Sequence, residues 1–284
     1  MARYIKKEFK GYSLSWTAPA GVTSINFTIY DSFDSLVIST GQQSTALKRN
    51  GSAWAWGQGT SGQLGDNTIT NKSSPVPVVG GHSFVQLNGG VNHTAALKAD
   101  GSAWAWGLNT SGQLGDNSVL VKSSPVAVVG GHSFIQAFAG TTHSIALKAD
   151  GSAWTWGSNT DGQLGDSGLT GKSSPVPVVG GHSFIQVNAG NNNTALKADG
   201  SVWSWGSGSG YGLGDNTLIP KSSPVPVVGG QLFQANSNFI NEATIQVIPG
   251  TTYNMNFFLT QVGTQILRNY NGRNNIRIVL EYYA

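Results

Sequence analysis

One heptapeptide recurs four times: GSAWAWG starts at Gly51 and Gly101, GSAWTWG at Gly151 and GSVWSWG at Gly200. The spacings are 50, 50 and then 49 residues, and a period of that length marks a propeller, a solenoid or another stacked array. Each copy reads as an F-[VI]-Q strand, a T-A-L-K strand, the W-x-W strand, a GQLGD loop and a K-S-S-P-V-x-V-V-G-G strand, so each unit contributes four strands.

Turn chemistry supports that count. Asn50-Gly51, Asp100-Gly101, Asp150-Gly151 and Asp199-Gly200 each separate two alternating apolar runs, and Asn-Gly or Asp-Gly supplies the positive φ angles of a two-residue hairpin. Pro75, Pro77, Pro125, Pro175, Pro177, Pro224 and Pro226 fall in the last strand of the units. A proline cannot donate to a ladder, which predicts that this strand is the outer edge of its sheet.

Period-2 geometry puts Trp54 and Trp56 on one face of their strand and Ala53 and Ala55 on the other. If units stack face to face, the Trp pair of one unit fills the shallow Ala face of the next. Trp54, Trp56, Trp104, Trp106, Trp154, Trp156, Trp203 and Trp205 are then expected to form most of the core between units.

Composition narrows the fold further. Charged residues are 10% of the chain while glycine contributes 39 residues, which suits short strands and tight turns rather than long charged helices. Between residues 35 and 230 nine Lys and Arg face eight Asp, with no basic stripe of the kind that displaces counterions from phosphates, so nucleic acid is not an expected partner. There is no cysteine, which removes disulfides, thiolate nucleophiles and Cys metal sites. Met1 to Lys10 is basic, but GYSLSWTAPAG follows it without the apolar core of a secretion signal, and no stretch approaches the roughly 20 apolar residues of a membrane helix. The expectation is a protein made in the cytoplasm with no membrane insertion.

The run H-T-A-A-L-K-A-D-G-S-A-W-A-W-G-L-N-T-S-G-Q-L-G-D, His93 to Asp116, resembles the repeat of the regulator of chromosome condensation family, and the likeness extends over roughly residues 35 to 235. The resemblance implies a β-propeller with four-stranded blades, although the family's namesake has seven blades and four repeats occur here. Gln231 to Asn236 is similar to the opening strand of a further unit, and Ser35 to Thr40 to a degraded copy of it, so either one would be able to seal a ring. An open arc completed by another subunit is the other arrangement.

Residues 1–34 and 237–284 lack the repeat. Trp16 to Tyr30, Ala243 to Ile248, Tyr253 to Leu259 and Asn275 to Tyr283 alternate polar and apolar residues and are expected to be strands. Pairing across the chain ends gives a small β-sandwich, with the propeller of residues 35–236 inserted into one loop. The phrases W-T-A-P-A-G-V-T-S-I, V-I-P-G-T-T-Y-N and I-R-I-V-L-E-Y resemble glycine-rich sandwich domains of bacteriophage tail and virion appendage proteins. The fold expected is therefore all-β, a four-bladed propeller inserted in a sandwich of the two ends.

No catalytic, cofactor or metal site is expected. His82, His132 and His182 share one repeat position, replaced by Gln231 in the last copy, and are read as loop residues rather than metal ligands. His93 and His143 form another pair, replaced by the Asn-rich 191–193 segment, and the family resemblance implies a structural role for them. Asp66, Asp116, Asp166 and Asp215 end the GxLGD segments with one carboxylate each, too few oxygens for calcium, and are read as turn formers. Gly171-Lys172-Ser173 lacks the earlier glycine and the following helix of a phosphate loop.

The variable residues of the loop after each GxLGD, Asn67 to Asn71, Asn117 to Val121, Ser167 to Gly171 and Asn216 to Pro220, are the best candidate contact surface, with Asn67, Thr68, Asn117, Ser118, Ser167, Asn216 and Thr217 foremost. The function expected is a bacteriophage virion surface protein acting in particle assembly and host-surface recognition. Its partners would be other virion proteins, a host glycan or protein, and further copies of itself, a trimer in the first instance. An intracellular exchange factor or chromatin-type propeller, and a bacterial adhesin or lectin, are the alternatives.

Overall fold

A computed structural model describes residues 42–48, 50–230 and 232–233 in full, with the backbone of the strands Tyr4–Lys10, Ser13–Thr17, Ser24–Asp31, Ser35–Ile38, Glu242–Gln246, Thr252–Asn256 and Ile276–Tyr283. The chain divides into two compact units, residues 35–235 and residues 1–34 with 236–284.

The larger unit holds four antiparallel sheets of four strands each. Blade 1 is Ser35–Ile38, Gln43–Lys48, Ala53–Gly57 and Lys72–Pro77. Blade 2 is Gln86–Gly89, His93–Leu97, Ala103–Gly107 and Lys122–Ala127; blade 3 is Gln136–Ala139, His143–Leu147, Ala153–Gly157 and Lys172–Pro177. Blade 4 is Gln186–Ala189, Asn192–Leu196, Val202–Gly206 and Lys221–Pro226. In each blade the strands pair in chain order, the fourth strand pairs with the third alone, and so the prolines lie on a true edge. That edge offers another strand few donors, a safeguard against edge-to-edge pairing. The first strand is innermost: Gln86 zips it to the next blade, donating from Nε2 to Ala137 O at 3.0 Å and accepting from Ala137 N at 3.1 Å, and Gln136 does the same with Ile185 O and Val187 N.

Stacking follows the large-on-small rule, with a direction that alternation alone leaves open. The Trp face of each blade covers the small-residue face of the blade before it. Ala53 packs with Phe84, Leu87, Ala96 and Trp106; Leu97 and Ala103 pack with Phe134, Ala137, Ala146 and Trp156; Ile145, Leu147 and Ala153 pack with Phe184, Val187, Ala195 and Trp205. The expected direction, Trp of one blade onto the next, is thus reversed.

The expectation of eight core indoles also changes. Trp106, Trp156 and Trp205 are wholly buried, whereas Trp54, Trp104, Trp154 and Trp203 are half-buried. The first Trp of each pair sits near the hairpin end of its strand, where Lys48, Lys98, Lys148 or Lys197 places its ammonium about 4 Å above the ring, a cation–π contact. Trp56, in blade 1, is half-buried as well. Among the described residues no core cluster joins blade 4 to blade 1. Of the segment 231–236, Leu232 and Phe233 are described: Phe233 N donates to Gly200 O as Phe84, Phe134 and Phe184 do to their hairpins, but Phe233 is 48% exposed where those three are buried.

In the smaller unit Tyr4–Lys10, Ile276–Tyr283, Ser24–Asp31 and Glu242–Gln246 form a four-stranded antiparallel sheet, and Ser13–Thr17 pairs with Thr252–Asn256. The two ends of the chain therefore pair with each other. The loop residues of the phrases that resemble virion appendage domains lie outside the described residues.

Candidate functional site

The loop between the third and fourth strands has two halves with separate tasks. In blades 1 to 3 the first half, the Gly-Gln-Leu-Gly-Asp turn, docks on the next blade. Gln63 O accepts hydrogen bonds from Trp106 Nε1 at 3.0 Å and Thr94 Oγ1 at 2.9 Å; Gln113 O accepts from Trp156 Nε1 and Ser144 Oγ; Gln163 O accepts from Trp205 Nε1 and Asn193 Nδ2. Burying an indole N–H without a partner would cost about 1 to 3 kcal/mol, so this carbonyl is what lets the second Trp be buried completely. Two glycines allow the approach. A Cβ on Gly65, Gly115 or Gly165 would lie 2.6 to 2.7 Å from the indole nitrogen of the next blade, and one on Gly62, Gly112 or Gly162 would lie 2.8, 2.6 or 2.5 Å from the Cα of Ser123, Ser173 or Ser222. The turn is closed by its last residue, with Asp66 Oδ1 accepting from Thr68 N and Oγ1, Asp116 and Asp215 acting alike, and Asp166 Oδ1 accepting from Gly168 N. Burial alone would raise the Asp66 carboxyl, but hydrogen bonds from Thr68 and Lys72 outweigh it and hold it below its ordinary value. This is the turn-forming role read from the sequence.

A second lock runs through the histidines. Ser144 Oγ donates to Gln113 O, so its hydroxyl oxygen accepts from His93 Nε2 at 2.9 Å, and His143 Nε2 donates to Asn193 Oδ1 at 2.8 Å. Each ring is therefore the Nε2–H tautomer, and neither Nδ1 has a partner. Burial holds His93 neutral down to about 3, with repulsion from His143 adding to it; burial holds His143 neutral down to about 4, despite the bond to Asn193. Both are structural. His82, His132 and His182 instead lie against Trp104, Trp154 and Trp203 at centroid distances of 4.2, 4.2 and 4.3 Å. Among the described residues no group of three or more His, Cys, Asp or Glu comes together in a way that would hold a metal ion.

The second half of the loop, residues 67–71 and their equivalents, is the exposed tip. Asn67, Asn117, Ser167 and Asn216 are exposed and adopt left-handed φ values of 60 to 66°, and the first three donate their backbone N–H to Ser123 O, Ser173 O and Ser222 O of the next blade. Thr68, Ser118 and Thr217 are half-buried with their hydroxyls committed to Asp66, Asp116 and Asp215. The candidate contact residues thus divide: four have side chains open to solvent and three serve the turn. Their apolar neighbours belong to the same variable loops. Ile69, Val119, Leu120, Val121, Leu169, Leu218 and Ile219 are exposed, Leu120 and Ile69 by 65% and 62%. Comparing copies picks these loops out, since the tips differ in every blade while the docking turn before them is the same in three of four.

Other proteins share these features. The family model "Regulator of chromosome condensation (RCC1) repeat" matches residues 50–97, 100–147 and 150–196, and a second model of that repeat matches 84–113 and 134–163. No curated protein matches by sequence. Among solved structures, human WBSCR16 is 24% identical with a TM-score of 0.62, over 70% of this chain and 54% of that one. Yeast RCC1 (Prp20), solved bound to Kap60, is 23% identical with a TM-score of 0.60, over 71% and 50%. Prp20p from Saccharomyces cerevisiae, in a structure whose description also names its binding to Gsp1p and histones, is 22% identical with a TM-score of 0.61, over 71% and 52%. The chain thus spans about half the length of these relatives, and at this identity the likeness speaks for the propeller fold. With half of its residues matched by the repeat, the chain belongs to the regulator of chromosome condensation (RCC1) repeat family.

Proposed function

We propose that this chain is a non-catalytic recognition protein that holds a protein partner against the loop tips of its blades. The observation behind this reading is the row of large apolar side chains, Ile69, Leu120, Leu169 and Leu218 among them, left in solvent on tips anchored by a rigid turn. Exposed apolar groups in a repeated row, with polar groups around them, fit association with another macromolecule. The propellers that resemble this one include a yeast protein named with Kap60, Gsp1p and histones, and a protein-binding use of the fold is the part of that precedent adopted here. Nucleotide exchange on a small GTPase is the narrower version of it.

A second reading concerns place rather than chemistry. The terminal phrases that resemble phage appendage sandwiches favour a particle surface, where the smaller unit would anchor or oligomerise the protein and the tips would meet a host protein or glycan. Finding the chain by mass spectrometry in purified virions would support that; finding it in infected cytoplasm but never in particles would remove it.

The binding proposal is tested with the full-length protein and a variant carrying Ile69→Asp, Leu120→Asp, Leu169→Asp and Leu218→Asp. Both are measured against a small GTPase with its nucleotide, histones, a glycan array and intact bacterial cells. Binding that falls at least tenfold in the variant supports the tips as the contact surface. Binding equal in both proteins overturns it, and faster nucleotide release with the wild type would move the reading to exchange.

A further inference from the structure

The fourth blade departs from the other three where they dock on a neighbour. In blades 1 to 3 the first glycine of the turn is Gly62, Gly112 and Gly162, and nothing larger fits, because the backbone of the next blade's outer strand lies 2.5 to 2.8 Å from where a Cβ would be. At the equivalent position blade 4 has Tyr211, 61% exposed, and it keeps the left-handed backbone with a φ of 59°. A non-glycine residue pays strain to sit there, and an aromatic side chain occupies the lane that a further outer strand would take.

Two more changes accompany it. Gln63, Gln113 and Gln163 give way to Gly212, whose carbonyl accepts a hydrogen bond at 2.8 Å from Asn192 Nδ2 of its own blade instead of being left to a neighbour. Asn192 itself stands where His93 and His143 reach across to the next blade, so the inter-blade donor has been turned inward. Toward solvent, blade 4 shows Asn188 and Thr194 at positions where blade 2 buries Asn88 and Ala95. Yet Gly214, which matches the indole-accommodating Gly65, Gly115 and Gly165, is kept. Blade 4 is thus a repeat altered at its contact points, as terminal repeats of stacked arrays are.

The other end of the row shows no such change. Blade 1 retains Trp56, the counterpart of Trp106, Trp156 and Trp205, and Ser44, the counterpart of Thr94 and Ser144. Trp56 is half-buried, and among the described residues its indole N–H meets no turn carbonyl.

We infer that Tyr211, with Gly212 and Asn192, is a stacking stop that bars a fifth blade or the first blade of a second copy from the end of the row, and that the Trp56 face is the end still able to receive a blade. The occupant this face fits is the small-residue face of another propeller blade with an unblocked Gly-Gln-Leu-Gly turn, since that is what covers the same face in all three internal interfaces. The chain's own fourth blade is barred from that role.

Because the proposed occupant can be made from this chain, the test needs no unknown partner. Full-length protein carrying Tyr211→Gly and Gly212→Gln has the turn of the other blades, and glycine at a left-handed position relieves strain, so folding is not at risk. In sedimentation equilibrium the double variant is expected to self-associate with rising concentration, and adding Trp56→Ala to it should abolish that gain, weakening it at least tenfold. The wild type should show no Trp56-dependent association, whatever oligomer its smaller unit forms. The converse change, Gly162→Tyr, should separate blades 3 and 4 and shift Trp205 emission toward that of a solvated indole. The inference is overturned if the double variant, shown folded by near-ultraviolet circular dichroism, associates no more than wild type. It is equally overturned if wild type already loses association on Trp56→Ala, or if Gly162→Tyr leaves Trp205 buried.

Discussion

Within one loop, the docking turn and the tip obey opposite rules. The turn of Gly112 to Asp116 is tightly packed, and its carbonyl and two glycines are each matched to an atom of the next blade. The tip of Asn117 to Val121 begins at the next residue, touches the next blade through one backbone hydrogen bond, and presents Val119, Leu120 and Val121 to solvent. Substitution in the turn should therefore be read as lost stability, and substitution in the tip as lost binding. The contrast also separates the three working turns from the fourth, where the same segment has been changed to refuse a neighbour.

The largest effect should come from the indole that the turn receives. Trp156→Ala removes a wholly buried ring and leaves Gln113 O without that donor, at a cost of about 3 to 5 kcal/mol, measurable by urea unfolding. Trp56→Ala, which removes a ring that is half-buried, should cost less than half as much. Equal losses would mean that something covers the Trp56 face after all.

Next in size is Gly112→Ala. It strains a backbone at a φ of 79° and drives a methyl against Ser173, so a loss of about 2 to 3 kcal/mol is expected, while Tyr211→Gly should be neutral or stabilising.

Acid sensitivity is a third way to sharpen the comparison. His93 and His143 have folded-state values pushed down to about 3 and about 4, below the ordinary 6.5 of an unfolded chain. The neutral form is thus the one the fold favours: the stability is complete above pH 6.5 and is lost as pH falls toward those lower values. Between pH 6.5 and 5 each imidazole should remove about 1.5 kcal/mol. His143→Asn, which copies the fourth blade, should lower the slope of stability against pH by one proton. An unchanged slope would contradict the assignment of His143 as buried and neutral.

The smallest stability effect belongs to the tip. Leu120→Asp should change unfolding free energy by no more than about 0.5 kcal/mol, while lowering partner binding. A large destabilisation would show that the tip is part of the scaffold.

Much of this architecture was legible in the sequence. The 50-residue period, the Asn-Gly and Asp-Gly hairpins and the edge prolines led directly to four-stranded blades, and Asp66 and its equivalents were readable as turn formers because each copy held a single carboxylate. Three features were not. Trp104 and Trp106 share a strand face, so alternation had no means of saying that one would be sealed by Gln63 O and the other left under Lys98 and His82. The direction of stacking depends on which side of the sheet the next blade enters, which strand periodicity does not encode. Tyr211 was visible as a departure from Gly-Gln, but its meaning required knowing that the backbone of Ser222 lies against Gly162. Polar loop residues look available in a sequence, yet Thr68, Ser118 and Thr217 spend their hydroxyls on the turn, while Ile69 and Leu120 in the same loops are open to solvent.

The account rests on one rule: a blade buries its second indole completely where the turn carbonyl of the preceding blade receives it. Hydrogen exchange of the indole N–H groups, followed by ¹⁵N-resolved NMR with each Trp assigned by substitution, tests this most directly. The N–H groups of Trp106, Trp156 and Trp205 should exchange slowly and that of Trp56 fast. Protection of Trp56 equal to theirs, or fast exchange at all four, would contradict the account.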